Sequence, residues 1–288
     1  MRANLLVLYV SCAAGLGCSA QVAPMAEGST EASLSGSPPT AVVLIERTVA
    51  GGENARAEAV ARFVRMRAGA VDDEALRLVG AAIDFPPPGT CALATEEEGR
   101  ENAVGRAVEL VDVGAVSVEV NGASLSLLPR RLPDIVDLVS GVFYSTRPPD
   151  ADALPSGATY ILRAGADEVF AVTSRAPDEP GNLRIGGQDA KTPGGLVLPS
   201  DAGIEISWGS GNPEDSIYVD VAQLGSSGMR SARCLFGDTG HAVLPTSVVV
   251  EGGGTVAVHR LHRETFQARG FGTGEIRFDF ARVVAFRR

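Results

Sequence analysis

The feature that most constrains the fold is a run of short segments with apolar residues at every second position. The clearest is the last. Ile276, Phe278, Phe280, Val284 and Phe286 share one side of an extended chain, and Glu275, Arg277, Asp279 and Arg287 share the other. Arg282 breaks the apolar set and marks either a bulge or a paired Arg. The same period recurs at Ile204, Ile206 and Trp208 and at Ile217, Val219 and Val221. Further strands are expected at Ala41–Val49, Val60–Arg67, Val108–Val113, Val116–Val120, Ser124–Leu128, Thr159–Arg163, Glu168–Ser174, Arg230–Phe236 and Thr255–His262. Asn121–Gly122 between two of them is a hairpin turn signal. Helix signals are few. Val71–Ala82 carries a helical stripe behind Asp72 or Asp73 as a cap and stops before Pro86, Pro87 and Pro88. Pro133–Val139 fits one helical turn or a short strand. Many strands with almost no helix predict a mainly β chain, an antiparallel β-sandwich-type body with at most one or two short helices.

The N-terminal region reads differently. Arg2 precedes an apolar run from Leu5 to Val10, followed by small residues through Gly17 to Cys18. A short positive start, an apolar segment and a small-residue junction make a secretory signal peptide, too short for a permanent bilayer span. Leu16-Gly17-Cys18 resembles the lipobox of bacterial lipoproteins, which implies lipidation of Cys18 and cleavage just before it. Gly15 stands where that family has Leu or Val, which keeps ordinary cleavage after Ala20 as the alternative. Residues 19–40 are Ala, Ser, Gly, Pro and Glu without apolar periodicity, a spacer composition. The expected organisation is a signal peptide over 1–17, a lipid-anchored linker over 18–40 and a β-rich region over 41–288, with a sub-boundary near 146–156. The whole chain is also similar in style to uncharacterised secreted lipoproteins of high-GC Gram-negative bacteria. That similarity implies a compartment and a β-rich body and supplies no activity; the expected address is the cell envelope, with attachment to the outer membrane through the N-terminal lipid.

The chain carries a formal charge of −10, which gives no electrostatic footprint for nucleic acid. The charge is uneven, because Thr255–Arg288 holds seven Arg against Glu264, Glu275 and Asp279. Either this is a basic anion-binding edge or a strand pair docking on an acidic remainder. Of the four Cys, Cys12 leaves with the signal and Cys18 is the lipidation candidate, which pairs Cys91 with Cys234 in an oxidising compartment.

Chemistry-bearing motifs are sparse. Asp238-Thr239-Gly240 is the triplet with which aspartic proteases place a water-activating carboxylate, but it occurs once and also makes an ordinary turn. No Gly-x-Ser-x-Gly elbow is present. Gly270, Gly272 and Gly274 read as a hairpin loop, and Glu96–Glu98 as a solvated run. Asp150, Asp152, Glu214 and Asp215 lack the ligand spacing of a Ca²⁺ loop. His259 and His262, three apart in a strand, point to opposite faces and do not converge on a metal. Trp208, Tyr218 and Cys234 within Ile204–Cys234 resemble an immunoglobulin- or fibronectin-type sandwich core over about 30 residues. The resulting expectation is a binding or display protein of the cell envelope, needing no cofactor, with an envelope protein or polysaccharide as ligand. The alternative is an envelope hydrolase built on Asp238.

Overall fold

Period-two segments become strands almost wherever the spacing places them. The computed structural model describes residues 38–51, 55–93, 107–135, 138–147, 151–165, 170–199, 203–225 and 228–288, all inside the compact unit Gly36–Arg288. Cys18, the signal segment, residues 19–37 of the spacer, Glu96–Glu98 and Asp150 lie outside the described residues.

In chain order, β1 (Thr40–Ala50) and β2 (Arg56–Met66) are followed by α1 (Asp73–Leu78), whose first turn is capped by the Asp72 carboxylate accepting from the Ala75 amide. Then come β3 (Cys91–Leu93), β4 (Val108–Leu110), β5 (Val116–Val120), β6 (Ala123–Ile135) and β7 (Val139–Ser145). Asn121 and Gly122 join β5 to β6 with positive φ at both, as a tight hairpin turn of this twist requires. A 3-10 turn at Ala151–Ala153 leads to β8 (Thr159–Ala164) and β9 (Phe170–Arg175). Three two-residue strands follow, β10 (Arg184–Ile185), β11 (Gln188–Asp189) and β12 (Leu196–Val197). The remainder is β13 (Ile204–Ser207), β14 (Ser216–Gly225), β15 (Gly228–Gly237), β16 (His241–Leu244), β17 (Gly253–Gln267) and β18 (Thr273–Arg287). The helical stripe predicted over 71–82 is thus realised in one and a half turns, and Pro133 belongs to β6.

Thirteen of these strands form a continuous path, β3-β15-β14-β17-β18-β1-β2-β4-β7-β6-β5-β8-β9, in a 14-stranded sheet that β12 completes by pairing with β18. A four-stranded sheet, β11-β10-β13-β16, lies apart from it. The body is of the β-sandwich type with a predominantly antiparallel ladder. Three pairings are parallel, most consequentially β1 with β18.

The long sheet serves two cores with one face. In its first half, β1, β2, β5–β9 and the start of β18 close around Phe63, Tyr144, Tyr160, Phe278 and Phe280, all fully buried. Tyr160 on β8 meets Phe278 on β18 across the interior, at 5.1 Å between ring centroids. In its second half, β14, β15, β17 and the end of β18 pack against the four-stranded sheet through Ile204, Ile206, Ile217, Val219, Val258 and Leu244. Burial of this many apolar side chains is what holds each half together. A smaller cluster seats α1 on β2, β4 and β7. β17 and β18, fifteen residues each, are long enough to contribute to both principal cores.

Candidate functional site

Between the two cores the inner face of the sheet changes from apolar to charged. On β17 the inward residues run Val256 and Val258 in one core, then Arg260, His262 and Glu264, and finally Phe266 against the other core. On β18 Arg282 falls between Phe280 and Val284, and on β1 Arg47 follows Ile45. The β17–β18 ladder passes Arg282 without a register shift, so the residue is a paired Arg and not a bulge. Its partner is Glu179, 3.1 Å from Arg282 Nη2 and also bonded by Arg47 Nε.

Arg260 organises the loops above this belt. Nη1 donates to the carbonyls of Asp178 at 3.0 Å and Glu179 at 3.3 Å, while Nη2 donates to Gly209 O and to Asp238 Oδ1. Nε approaches Asp238 Oδ2 to 2.7 Å as an ion-pair contact whose angle does not make a hydrogen bond. One guanidinium thereby ties together three segments that are far apart in sequence. Trp208 Nε1 donates to the same Asp238 carboxylate at 2.6 Å. Gly211 lies against the pair, where a Cβ would come within 2.4 Å of Asp238 Oδ2, so only glycine lets the loop pass there.

The result is an open cleft of about 560 Å³. Its walls are the chain leaving β9 (Arg175–Glu179), the loop Gly209–Asn212, and Arg260, His262 and Glu264 of β17. Asp215 is almost fully buried at its side and binds His262 Nδ1 at 2.7 Å. That bond, ahead of the opposing cost of burial, holds the His262 imidazole's pKa above its ordinary value. Asn212 positions the segment, its Oδ1 accepting from the Glu214 amide and its carbonyl from the Asp215 amide. Ser174 of β9 donates to Glu264 Oε2 at 2.5 Å, and Phe170 meets Phe266 at 5.8 Å, which brings β9 beside β17. No backbone ladder joins those two strands, so the cleft sits over an open seam. The lining carries four carboxylates against two guanidiniums. It suits a ligand that donates hydrogen bonds or carries positive charge.

A second polar cluster occupies the opposite face. His259 Nδ1 lies 2.8 Å from Asp279 Oδ1, Tyr218 donates to Asp279 Oδ2, and the Tyr218 and His259 rings stack at 4.1 Å. Burial first, and then Asp279, drive the Tyr218 phenol far above its usual range. Phe85 packs on Tyr218 and Arg277 donates to Ala81 O, so the segment leading to Cys91 straps this cluster over. The two His do face opposite ways, each with its own carboxylate.

Cys91 and Cys234 form a disulfide between register partners of β3 and β15, Cα atoms 4.0 Å apart. Asp238 does not merely cap a turn: its side chain is fully buried behind the cleft as the counterion of Arg260. Among the described residues no group of three or more His, Cys, Asp or Glu is arranged to hold a metal ion. Gly270, Gly272 and Gly274 lie at the β17–β18 hairpin. Four of the seven Arg in the C-terminal strands, Arg260, Arg263, Arg277 and Arg282, pair with Asp238, Glu275 and Glu179. Arg260, His262 and Glu264 form a group that no sequence motif singles out. Their signal is three polar residues on the face of β17 that is otherwise Val256, Val258 and Phe266. The chain matches no protein-family model and no curated protein.

Proposed function

We propose that this chain is an exported cell-envelope protein, lipid-anchored through Cys18, that acts by binding an envelope protein or polysaccharide in the cleft over the β9–β17 seam, without a cofactor. The observation that carries the binding reading is the charged belt between two apolar cores. A buried pair such as Arg260–Asp238 gives little or no net stability against apolar side chains of similar size, so its retention is better explained by the loops it holds around the cleft. Arg2, the apolar run and Gly17-Cys18 support the address and the anchor. The hydrolase alternative draws less support. An aspartic mechanism needs a carboxylate that shares a proton with a second one, whereas both Asp238 oxygens face Arg260 or Trp208.

The test is native mass spectrometry of the protein from its own membrane fraction. The expected result is a diacylglycerol-modified N-terminal Cys18 and a copurifying ligand that His262→Asn or Glu264→Gln displaces. A soluble protein beginning after Ala20 would remove the anchor. A ligand retained by both variants would remove the cleft.

A further inference from the structure

Among the described residues, the two ends of the long sheet path and both ends of the small sheet present backbone without a ladder partner. β3 offers three residues, β11 two and β16 four, whereas β9 offers six. Long free edges are normally blunted by Pro, Lys, a bulge or a covering segment. Phe170-Ala171-Val172-Thr173-Ser174-Arg175 has none of the first two, and its register with β8 is continuous. The Ala176 amide donates to Ala158 O, in step with that register, so Ser174 and Val172 turn their backbone groups to β8. Those of Ala171, Thr173 and Arg175 therefore point to the open side. Across the seam, β14 pairs with β17 only as far as Leu261, which leaves His262–Gln267 bonded on the β18 side alone.

The cleft lies where this edge ends. Of its lining charges, Arg260 has committed its guanidinium to protein groups, and Glu179 is held by Arg47 and Arg282. Asp215 is buried and paired with His262, so Asp178 and Glu264 remain against Arg175. Charge complementarity selects a cationic occupant.

We infer that an extended, basic polypeptide segment adds as a strand to the free edge of β9 and directs Lys or Arg side chains into the cleft. This rests on the binding role given to the cleft above. Backbone groups of Ala171, Thr173 and Arg175 supply main-chain hydrogen bonds, and Glu264 with Asp178 supplies the preference for positive charge.

The probe is a fluorescent peptide of about ten residues alternating Lys and Val, with a Glu–Val peptide of the same length as control. The Lys peptide is expected to bind at least about tenfold more tightly and to weaken with added salt. On binding, hydrogen exchange at the amides of Ala171, Thr173 and Arg175 slows, while the β8-facing amides are unchanged. Thr173→Pro removes one outward donor without touching the β8 ladder, a place where an edge tolerates Pro. It should lose peptide binding by about tenfold or more at an unaltered melting temperature. Should that variant fail to fold, the exchange measurement on the unaltered protein decides alone. Equal binding of both peptides, or no slowing at the three amides, overturns the proposal. If the Lys peptide fails while His262→Asn still displaces the copurifying ligand, the peptide assignment falls and the cleft stands. If both fail, both fall.

Discussion

The long sheet finishes in two unlike ways. At one end β15 is covered by β3, three residues held covalently through Cys91–Cys234, with Phe85 laid over Tyr218 just upstream. At the other end β9 carries six residues of free edge beside a charged cleft. Both ends are parts of one sheet with one twist, so the difference is not in strand chemistry. It lies in what stands beside each strand: β15 is paired by β3, which comes from far earlier in the chain, whereas from β9 the chain leads away through Pro177 to the loops that Arg260 gathers. One end of the sheet stops at a three-residue strand pinned by a covalent bond, and the other at a six-residue strand beside the cleft.

The sharpest way to break this contrast is to open the closed end. Removing the disulfide by Cys91→Ser with Cys234→Ser releases a loop with a sequence separation of 143 residues, for which chain entropy predicts a loss of about 4–5 kcal/mol. Denaturant unfolding of the double variant should show it, and an unchanged midpoint would mean that the strap is held without the bridge. Next in size, Phe278→Ala removes a fully buried ring from the core of the first half, at a cost of about 3–5 kcal/mol. A melt near wild type would show that β18 does not carry that core. Asp238→Asn should cost about 3 kcal/mol by unbalancing the buried Arg260. That separates the counterion role from a turn cap, whose loss costs about 1 kcal/mol. The smallest effect concerns His262. Because Asp215 raises its pKa in the folded protein, the pair stabilises fully below the ordinary His value of about 6.5, and the gain fades as pH rises through the elevated folded value. The stability difference between wild type and His262→Asn, followed by denaturant unfolding across pH, should therefore shrink toward alkaline pH. A difference that grows instead would contradict the assigned bond.

Much of the body was legible because alternation directly encodes which side of a strand is buried. β18, β14 and the β5–β6 hairpin with Asn121–Gly122 follow from it. β7 carries no such signal, since Val139-Ser140-Gly141-Val142-Phe143 mixes both faces and Gly141 interrupts the pattern. Two-residue strands such as β10–β12 have no period to detect. The Asp238 triplet says nothing of the Arg and Trp that tertiary folding brings to it from 22 and 30 residues away. The cleft as a whole was illegible for the same reason, its walls coming from β9, two loops and β17. Yet β17 did hold a clue. A strand whose inward face turns from Val to Arg, His and Glu and back to Phe must pass something other than a hydrophobic core.

The parallel pairing of β1 with β18 has a consequence for how the chain is made. Val42 is bonded beside Glu275 and Ala50 beside Val283, more than two hundred residues apart, so the central ladder is assembled from the earliest and latest parts of the body. A nascent chain lacking β18 has no wall for the Phe63–Tyr160 interior, and β1 must wait with one side bare while the intervening strands are synthesised. Such long-range closure slows folding and exposes a sticky intermediate.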